Sequence, residues 1–346
     1  MEKIITFIIP AYNVEKYLSK CLNSFLDLSI LDKLEVIIVN DGSTDKTEEI
    51  AKSYVGRYPD SYKLINKSNG GHGSAINIGS QIACGKYFKV IDADDWVITE
   101  NLRRFISRLE ELDVDIVVTP FHMIDMKTGR SQEQSFRSSD CIVNLNTIIS
   151  DWSNYEGCMV FHGITYQTVF YQKYEHLLPH HIFYEDQEFS SIPCCHAENI
   201  ALINIFIYQY MIGNVEQSIA AESQAKRIDH VEQVIDNMLH YYNNGVGMSQ
   251  IAQEYLGLKI ENIILVYYMV ACIYEQDKIK GMHESLALNQ KIQKNNSEMI
   301  TRLNRKYRFY LLMNRMHISP GMYQWIMRPN CYGRFKYILN KCIRRV

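Results

Sequence analysis

The chain reads Lys86-Tyr87-Phe88-Lys89-Val90-Ile91-Asp92-Ala93-Asp94-Asp95-Trp96, a strand-like apolar run followed by three carboxylates within four residues. Carboxylates this close repel one another in a folded site unless a cation lies between them, and their hard oxygen atoms suit Mg²⁺ or Mn²⁺. The cluster therefore indicates a metal site for a diphosphate, with Asp92, Asp94 and Asp95 as candidate ligands. The alternative is a solvated turn with a helix cap, which also commonly follows a strand.

The N-terminal half of the chain alternates predicted strands with predicted helices. Strands are expected at residues 4–9, 34–39, 62–65, 86–91 and 115–119, the first two buried, and helices are expected from Asn13, from Asp45 to about Tyr58, before Gly85 and from about Thr99 to Leu112. This alternation predicts an α/β fold built on an open, mostly parallel sheet. In such sheets, ligands bind outside the carboxyl ends of the strands.

Polar or glycine-rich segments follow four of the predicted strands, at the edge where parallel strands end. They are Ala11-Tyr12-Asn13, Asp41, Gly70-Gly71-His72-Gly73-Ser74 and the acidic run that begins at Asp92. Four such segments at one edge are hard to explain as unrelated turns. They predict a single ligand-binding crevice.

Three segments of this half resemble the motifs of family 2 glycosyltransferases with the GT-A fold. They are Ile8-Ile9-Pro10-Ala11-Tyr12-Asn13, Val39-Asn40-Asp41-Gly42-Ser43-Thr44-Asp45 and Asp92-Ala93-Asp94-Asp95, in this order and at this spacing. The resemblance covers roughly residues 3 to 215. It implies a Rossmann-like GT-A domain that transfers a sugar from a nucleotide donor.

The resemblance also implies roles for individual residues. The loop at Pro10, Ala11, Tyr12 and Asn13 would hold the uridine base together with Asp41, whose carboxylate would accept a hydrogen bond from the ring N–H. Asp92, Ala93 and Asp94 match the Asp-x-Asp positions, which contact the ribose and ligate the divalent metal, with Asp95 close by. The implied cofactor is Mn²⁺ or Mg²⁺.

One position departs from the family pattern. The family commonly has Ala-Arg-Asn before the Asp-x-Asp strand, whereas this chain reads Ala75-Ile76-Asn77. We expect either His72 or the backbone N–H groups of Gly71 and Gly73 to make the missing contact to nucleotide or sugar, and we favour the backbone because glycines allow close approach. A flexible turn with an exposed histidine is the remaining interpretation.

A second acidic pair, Glu185-Asp186, lies about ninety residues after the first cluster. Displacement at an anomeric carbon needs a base beside the acceptor hydroxyl. The pair resembles the one that supplies this base in inverting members, so we predict Asp186 as the general base and Glu185 as an acceptor-site or orienting residue. With Glu188 these residues also suit the first turn of a helix, whose dipole would lower the pKa of Asp186.

The sequence predicts two domains, a catalytic domain at 1–218 and a helical domain at 219–346, because helical periodicity replaces the alternation of strands and helices after about Ala220.

The longest apolar runs, near 200–212 and 263–273, look too short to span a membrane, and no signal peptide is evident, which predicts a cytoplasmic protein. The nine cysteines have no paired metal-ligand spacing, so most are expected to be buried in a reducing compartment.

Charge is unevenly distributed along the chain. Residues 291–346 contain 13 Lys or Arg and one acidic residue, Glu298, whereas the rest contains 23 basic and 38 acidic residues; a net charge of -3 thus combines +12 with -15. Aromatic residues alternate with this basic charge, which predicts attachment to an anionic membrane surface. The alternative is that this basic tail, residues 291–346, packs on the acidic body, which is the rest of the chain, or on a second subunit of a homo-oligomer. We expect no nucleic acid partner, because the catalytic motifs have no use for one.

These patterns predict an inverting, metal-dependent enzyme at the inner face of the cell membrane. It would move a hexose or N-acetylhexosamine from a nucleotide sugar, with UDP expected, to a glycan or lipid-linked acceptor in bacterial-type surface polysaccharide synthesis. A sugar-phosphate nucleotidyltransferase is one alternative, but it would normally have a Gly-rich, Arg-containing loop in place of Pro10-Ala11-Tyr12-Asn13. A catalytically inactive partner subunit is the other, and the intact Asp92, Asp94 and Asp186 count against it.

Overall fold

The computed structural model describes residues 2–174, 176–213, 221–245 and 247–327. It divides into two compact units: one takes in the chain up to position 214 together with Gly245–Leu256, and the other takes in the rest. The domain border expected between 218 and 219 falls among residues 214–220, outside the described residues, and stays a prediction.

The described residues up to position 213 contain twelve strands, eight α-helices and one 3-10 helix, Pro193–His196. The strands are β1 (Ile5–Ala11), β2 (Leu34–Asn40), β3 (Tyr62–Asn66), β4 (Tyr87–Val90), β5 (Trp96–Val97), β6 (Ile116–Val118), β7 (Phe121–Asp125), β8 (Ser131–Gln134), β9 (Cys141–Val143), β10 (Ile164–Gln167), β11 (Ile200–Leu202) and β12 (Tyr208–Ile212). The helices are α1 (Leu18–Asn23), α2 (Thr47–Arg57), α3 (His72–Ile82), α4 (Thr99–Glu111), α5 (Leu145–Ser150), α6 (Trp152–Tyr155), α7 (Thr168–Gln172) and α8 (Asp186–Phe189).

Eight strands form a sheet in the order β3-β2-β1-β4-β10-β6-β11-β9, and β5-β12-β7-β8 form a second sheet. The first four strands of the large sheet pair in parallel, as do β6 and β11. Strands β10 and β9 pair antiparallel with their neighbours. The predicted α/β architecture with a mostly parallel sheet is confirmed.

The central strands β1 and β2 are buried along their whole length. Such strands are near-continuous apolar runs because helices cover both faces of a parallel sheet. Helix α3 comes close to β1 at Gly79, where a Cβ atom would lie 2.4 Å from Cγ2 of Ile8. This packing brings the N-terminus of α3 to the edge where β1, β2 and β4 end.

The described chain after position 220 is helical, as predicted. Its helices are α9 (Ala221–Lys226), α10 (Ile228–Asn244), α11 (Gln250–Met269), α12 (Lys278–Asn295), α13 (Ser297–Arg315) and α14 (Pro320–Ile326). Asp277 caps α12 by accepting hydrogen bonds from the N–H groups of Ile279 and Lys280. The last basic and aromatic residues, at 328–346, lie outside the described residues.

One described helix, Gln250–Tyr274, is long and apolar enough to span a membrane by length and composition alone. Of its most apolar stretch, 67% is buried, as in the core helix of a globular unit. The apolar run expected at 263–273 is shorter than this helix because it begins only after the charged Lys259 and Glu261. Helix α11 itself continues into a π-helical turn, Val270–Tyr274.

Candidate active site

The loop after β1 is tied to the loop after β2 through Asn13. Its side-chain oxygen accepts a hydrogen bond from the N–H of Thr44 (2.8 Å), and its own N–H donates to Oγ of Ser43 (3.0 Å). Asn13 has φ 53°, in the left-handed region, and α1 begins only at Leu18. The prediction that Asn13 opens a helix is therefore wrong, because its side chain joins two loops instead.

The other predicted base-binding residues of the first loop differ in exposure. Pro10 and Ala11 lie inside β1 and are buried, whereas the Tyr12 side chain is 51% exposed at the strand end. Pro10 and Ala11 can therefore offer a ligand mainly their backbone atoms. Tyr12 can offer its ring.

Asp41 lies at the end of β2 and is only 3% exposed. Its carboxylate accepts hydrogen bonds from the N–H groups of Gly70 (2.9 Å) and Gly71 (2.8 Å), and it forms an ion pair with Lys67. A uridine N–H would therefore have to use a remaining lone pair of Asp41 or replace Lys67. The N–H of Gly71, one of the backbone groups expected to face the nucleotide, is already used inside the protein.

His72 bridges the two acidic motifs. Its Nε2 lies 2.9 Å from Oδ1 of Asp92, and its Nδ1 lies 2.6 Å from Oε1 of Glu185. Burial acts to lower the pKa of His72, but the hydrogen bonds and charges of Asp92 and Glu185 outweigh it and raise the pKa well above its usual value. Carboxylates only accept hydrogen bonds, so both ring nitrogens donate and His72 is a cation. This cation stands near the position where the family pattern has an arginine.

The third carboxylate of the acidic run is held inside the protein. Asp95 is 1% exposed, and its two oxygens accept hydrogen bonds from the hydroxyl of Tyr208 (2.6 Å) and the N–H of Met211 (2.7 Å) on β12. Burial and the charges of Asp92 and Asp94 raise its pKa well above the usual range. Asp95 therefore joins the acidic loop, residues 92–95, to the second sheet, while Asp92 and Asp94 of the same loop remain partly exposed.

His162 completes a group of three side chains that could bind a metal ion, and the sequence alone did not reveal it. A ligand atom of His162 and one from each of Asp92 and Asp95 all lie within 4.8 Å of one another. Burial lowers the pKa of His162 to about 4, so its imidazole is neutral at pH 7, as a metal ligand must be. Its ring stacks on Tyr210 with centroids 3.9 Å apart. No local motif marks this histidine, because only the fold brings it to the acidic loop.

The predicted base lies at the first position of a very short helix. Asp186 begins α8, which ends at Phe189, and Gln187 donates a hydrogen bond to its carboxylate (3.0 Å). Burial and the charge of Glu185 raise the pKa of Asp186 to about 6. The expectation of a pKa lowered by the helix is therefore wrong, because burial beside a second carboxylate outweighs the dipole of one helical turn.

We expect the transfer rate to depend on a group with a pKa near 6. A base works only when ionised, so a raised pKa means that activity is present above about pH 6 and is lost as the pH falls through that value. The charged groups around Asp186 are Glu185, His72 and Asp92, with Gln187 as its hydrogen-bond partner. Steady-state rates between pH 5 and 8 test this, and an unchanged rate down to pH 5 would contradict it.

The model for "Glycosyl transferase family 2" matches residues 6–192 of the chain. The protein therefore belongs to the family 2 glycosyltransferases, as its motifs predict. The family match does not support the nucleotidyltransferase alternative.

Particular relatives extend this comparison. The minor teichoic acid biosynthesis protein GgaB of Bacillus subtilis is 35% identical over 142 residues, which is 40% of this chain and 16% of GgaB. The glycosyltransferase EpsJ of the same organism is 36% identical over 122 residues, which is 35% of each chain. The matched stretch thus spans well under half of either curated relative.

Solved structures confirm the fold class. TarS of S. aureus superposes with a TM-score of 0.61 at 19% identity, covering 91% of this chain and 53% of TarS. The 1–349 form of TarS in complex with UDP-GlcNAc gives 0.54 at 20% identity, covering 90% and 92% of the two chains. At these identities the likeness shows a shared GT-A-like fold and nothing more.

Proposed function

We propose that this protein is an inverting glycosyltransferase that uses a UDP-sugar donor. One observation carries the proposal: the buried Asp41, the acidic loop at Asp92 and the pair Glu185-Asp186 lie at one edge of the sheet, joined through Gly70, Gly71 and His72. The UDP-GlcNAc complex of TarS and the teichoic acid role in the name of GgaB support a UDP-hexose or UDP-N-acetylhexosamine donor and a glycan or lipid-linked acceptor.

Asp186 is better suited than Glu185 to accept the proton of the acceptor hydroxyl. Glu185 is 3% exposed and already bonded to the cationic His72, which leaves it little capacity as a base. Asp186 is ionised for the most part at pH 7 and has a pKa near the working pH, where general bases are most effective. The acceptor oxygen bonds to the anomeric carbon as the bond to the diphosphate breaks, so a single displacement inverts that carbon.

Asp92, Asp94 and Asp95, together with His162, are the residues that would hold a divalent cation. Two carboxylates and a neutral imidazole suit Mn²⁺, and Mg²⁺ would draw more on the carboxylates. When bound, such a cation stabilises the negative charge that grows on the leaving diphosphate. Asp94 is outside the three-residue group but is near it in the acidic loop, and its role as a ligand stays a prediction.

His72 is a better candidate than the backbone of Gly71 and Gly73 for the contact that an arginine makes in the family. The N–H of Gly71 is bonded to Asp41, and Gly73 is buried in the first turn of α3. His72 is cationic and partly exposed, with 36% of its side chain accessible. Both of its ring N–H groups are bonded to Asp92 and Glu185, so it would act on the anionic donor through its positive charge and not through a free N–H group.

A donor screen tests the proposed function. The purified protein is incubated with Mn²⁺ and UDP-glucose, UDP-galactose, UDP-GlcNAc, UDP-GalNAc or GDP-mannose, and nucleoside diphosphate release is measured. We expect release from at least one UDP-sugar and none from GDP-mannose. Release from none of the UDP-sugars, with or without a saccharide acceptor, would contradict the proposal.

We also propose a peripheral, cytoplasmic position on an anionic membrane. In the described part of the basic tail, Lys306 and Arg315 of α13 are exposed. Large apolar side chains are exposed close by in sequence: Met316 (55%), Met322 (53%) and Trp325 (58%). Exposed basic and aromatic residues together suit the interface of an anionic bilayer.

Charge reversal at Arg305, Lys306 and Arg308 is expected to reduce co-sedimentation with vesicles that contain anionic lipid. Each basic residue near such a surface contributes on the order of 1 kcal/mol, so three reversals should weaken binding by at least about 10²-fold. High salt should release the wild type, because the Debye length falls from about 10 Å at 0.1 M to about 3 Å at 1 M.

A charge-matched control reverses Arg104, Lys127 and Lys173, which are exposed residues of the first unit. This variant should sediment like the wild type, and both variants should bind UDP normally. If the wild type ignores anionic vesicles at low salt, the membrane proposal fails and the tail is better interpreted as a contact with the acidic body or another subunit.

A further inference from the structure

The residues just before Asp186 form a strap, residues 178–185, that is tied to the protein at three points. The side-chain amide of Asn77 donates to the carbonyl of Leu178 (2.9 Å) and accepts from its N–H (3.0 Å). The N–H of His181 donates to the carbonyl of Gly70 (2.8 Å). Glu185 bonds to His72 (2.6 Å). All three ties reach one docking segment, residues 70–77.

The glycines of the docking segment allow the strap to come close. A Cβ atom on Gly71 would lie 2.8 Å from the backbone nitrogen of His181, and one on Gly73 would lie 2.9 Å from the carbonyl oxygen of Pro179. Real Cβ atoms essentially never come so close to backbone atoms. Glycine is needed here for protein packing, and the space around both Cα atoms is filled by the strap.

The strap also holds residues in a backbone conformation that they adopt only under constraint. His181 and Tyr184 have φ values of 57° and 72°, in the left-handed region that favours glycine. Conformations of this kind persist where surrounding contacts over-determine them. Here those contacts are the ties to the docking segment, which fix the path of the chain into Glu185 and Asp186.

The opposite side of the docking segment holds the donor loops. The N–H groups of Gly70 and Gly71 bond to Asp41, and His72 bonds to Asp92. The same eight residues therefore contact the carboxylate assigned to the nucleotide base, the acidic loop and the strap that carries the general base.

We propose that the docking segment positions Asp186 relative to the bound donor, with Asn77 and Gly73 as positioning residues and not nucleotide contacts. The inference rests on the proposed function for its kinetic consequence, but the docking itself can be measured without it. It replaces the expected role of Gly73 in binding the nucleotide sugar. It also gives a use to Asn77, which donor binding alone does not require.

Gly73→Ala and Asn77→Ala lie in the docking segment and are called the strap variants, because each should loosen the strap. They are compared with Gly56→Ala as the matched control. Gly56 lies on the exposed side of α2, and an added Cβ there would meet nothing within 4 Å. We expect both strap variants to lower kcat for the most reactive UDP-sugar by about 10-fold to 10²-fold, the scale of a catalytic group displaced by about 1 Å. Donor KM and UDP affinity should stay within about 2-fold, and Gly56→Ala should match the wild type.

Hydrogen exchange tests the docking independently of any reaction. In the wild type, the amides of Leu178 and His181 should exchange slowly, because each donates a hydrogen bond within the protein. Exchange at these two amides should accelerate in both strap variants, while exchange in β1 and β2 stays slow. Slow exchange in β1 and β2 also shows that the variants remain folded.

The outcomes separate the inference from the proposed function. Unchanged kcat in both strap variants, or a loss of UDP affinity in Gly73→Ala as large as the loss of kcat, would overturn the inference while sugar transfer stands. Fast exchange at Leu178 and His181 in the wild type would overturn it as well. A wild type that releases UDP from no donor but keeps these amides protected would refute the proposed function and leave the docking intact.

Discussion

Asp186→Asn is expected to lower sugar transfer by about 10² or more while leaving UDP and donor affinity near the wild-type values. The substitution keeps the size and shape of the side chain but removes the carboxylate that we propose accepts the proton of the acceptor hydroxyl. It also removes a partly buried carboxylate next to the buried Glu185. The variant should therefore be no less stable than the wild type near pH 7, and the loss should appear in kcat.

The measurement is nucleoside diphosphate release under saturating donor, with UDP affinity measured in parallel by calorimetry. Asp60→Asn, at an exposed carboxylate in the turn before β3, is the control for removing a negative charge and should transfer normally. Near wild-type turnover by Asp186→Asn would refute the assignment and make Glu185 or Glu188 the next candidates. The pH dependence near 6 should also disappear in Asp186→Asn, since it is assigned to this group.

The sheet was predictable because its information is local. The runs at β1, β2 and β4 are mostly apolar and are buried over their whole length, and parallel strands buried on both faces have this pattern. The acidic loop follows β4 directly, so its place at the carboxyl edge could be deduced from the strand alone. Asp41 follows β2 in the same way.

The contacts within the site were not predictable, because they join residues distant in sequence. His72 and Glu185 are 113 positions apart, and so are Asp95 and Tyr208. A carboxylate in a motif has the same letter whether or not it also bonds to a distant residue, as Asp95 does to Tyr208 of the second sheet. His162 has no motif around it at all, and its proximity to Asp92 follows only from the packing of β10 beside β4.

Burial reversed the expected direction of the pKa shift of Asp186. From the sequence, Asp186 at a helix start suggests a lowered pKa, but the helix has a single turn and the residue before it is a buried carboxylate. Desolvation and like charge both disfavour the ionised form, so the pKa rises to about 6. Helix length and burial decide the sign, and neither can be deduced from the Glu-Asp pair alone.

Removal of divalent cations is expected to weaken UDP binding by about 10² or more, and Asp94→Ala should have a similar effect in the presence of Mn²⁺. Two unit charges 4 Å apart repel by about 4 kcal/mol at an effective dielectric constant of 20, so a diphosphate beside the acidic loop needs a compensating cation. The prediction is tested by titrating UDP in Mn²⁺ and in EDTA.

Uridine is the matched ligand control, because it has the base and ribose of UDP but no diphosphate. Its weaker binding should be the same in Mn²⁺ and in EDTA and should be unaffected in Asp94→Ala. Tight UDP binding in EDTA, or in Asp94→Ala without Mn²⁺ dependence, would refute the metal assignment. A loss of uridine affinity equal to that of UDP would instead indicate damage to the loops around Asp41 that are proposed to bind the base.

His162→Ala distinguishes between two sets of metal ligands. If the cation is held by the group that the structure brings together, with Asp92, Asp95 and His162 within 4.8 Å, this variant should need at least about 10-fold more Mn²⁺ for half-maximal UDP binding. If Asp92 and Asp94 alone hold it, the Mn²⁺ requirement should not change. Uridine affinity again serves as the control, because His162 packs against Tyr208 and Tyr210 and its removal could disturb the loop. A shifted Mn²⁺ requirement with unchanged uridine affinity would assign His162 to the metal, through a contact that only the folded chain creates.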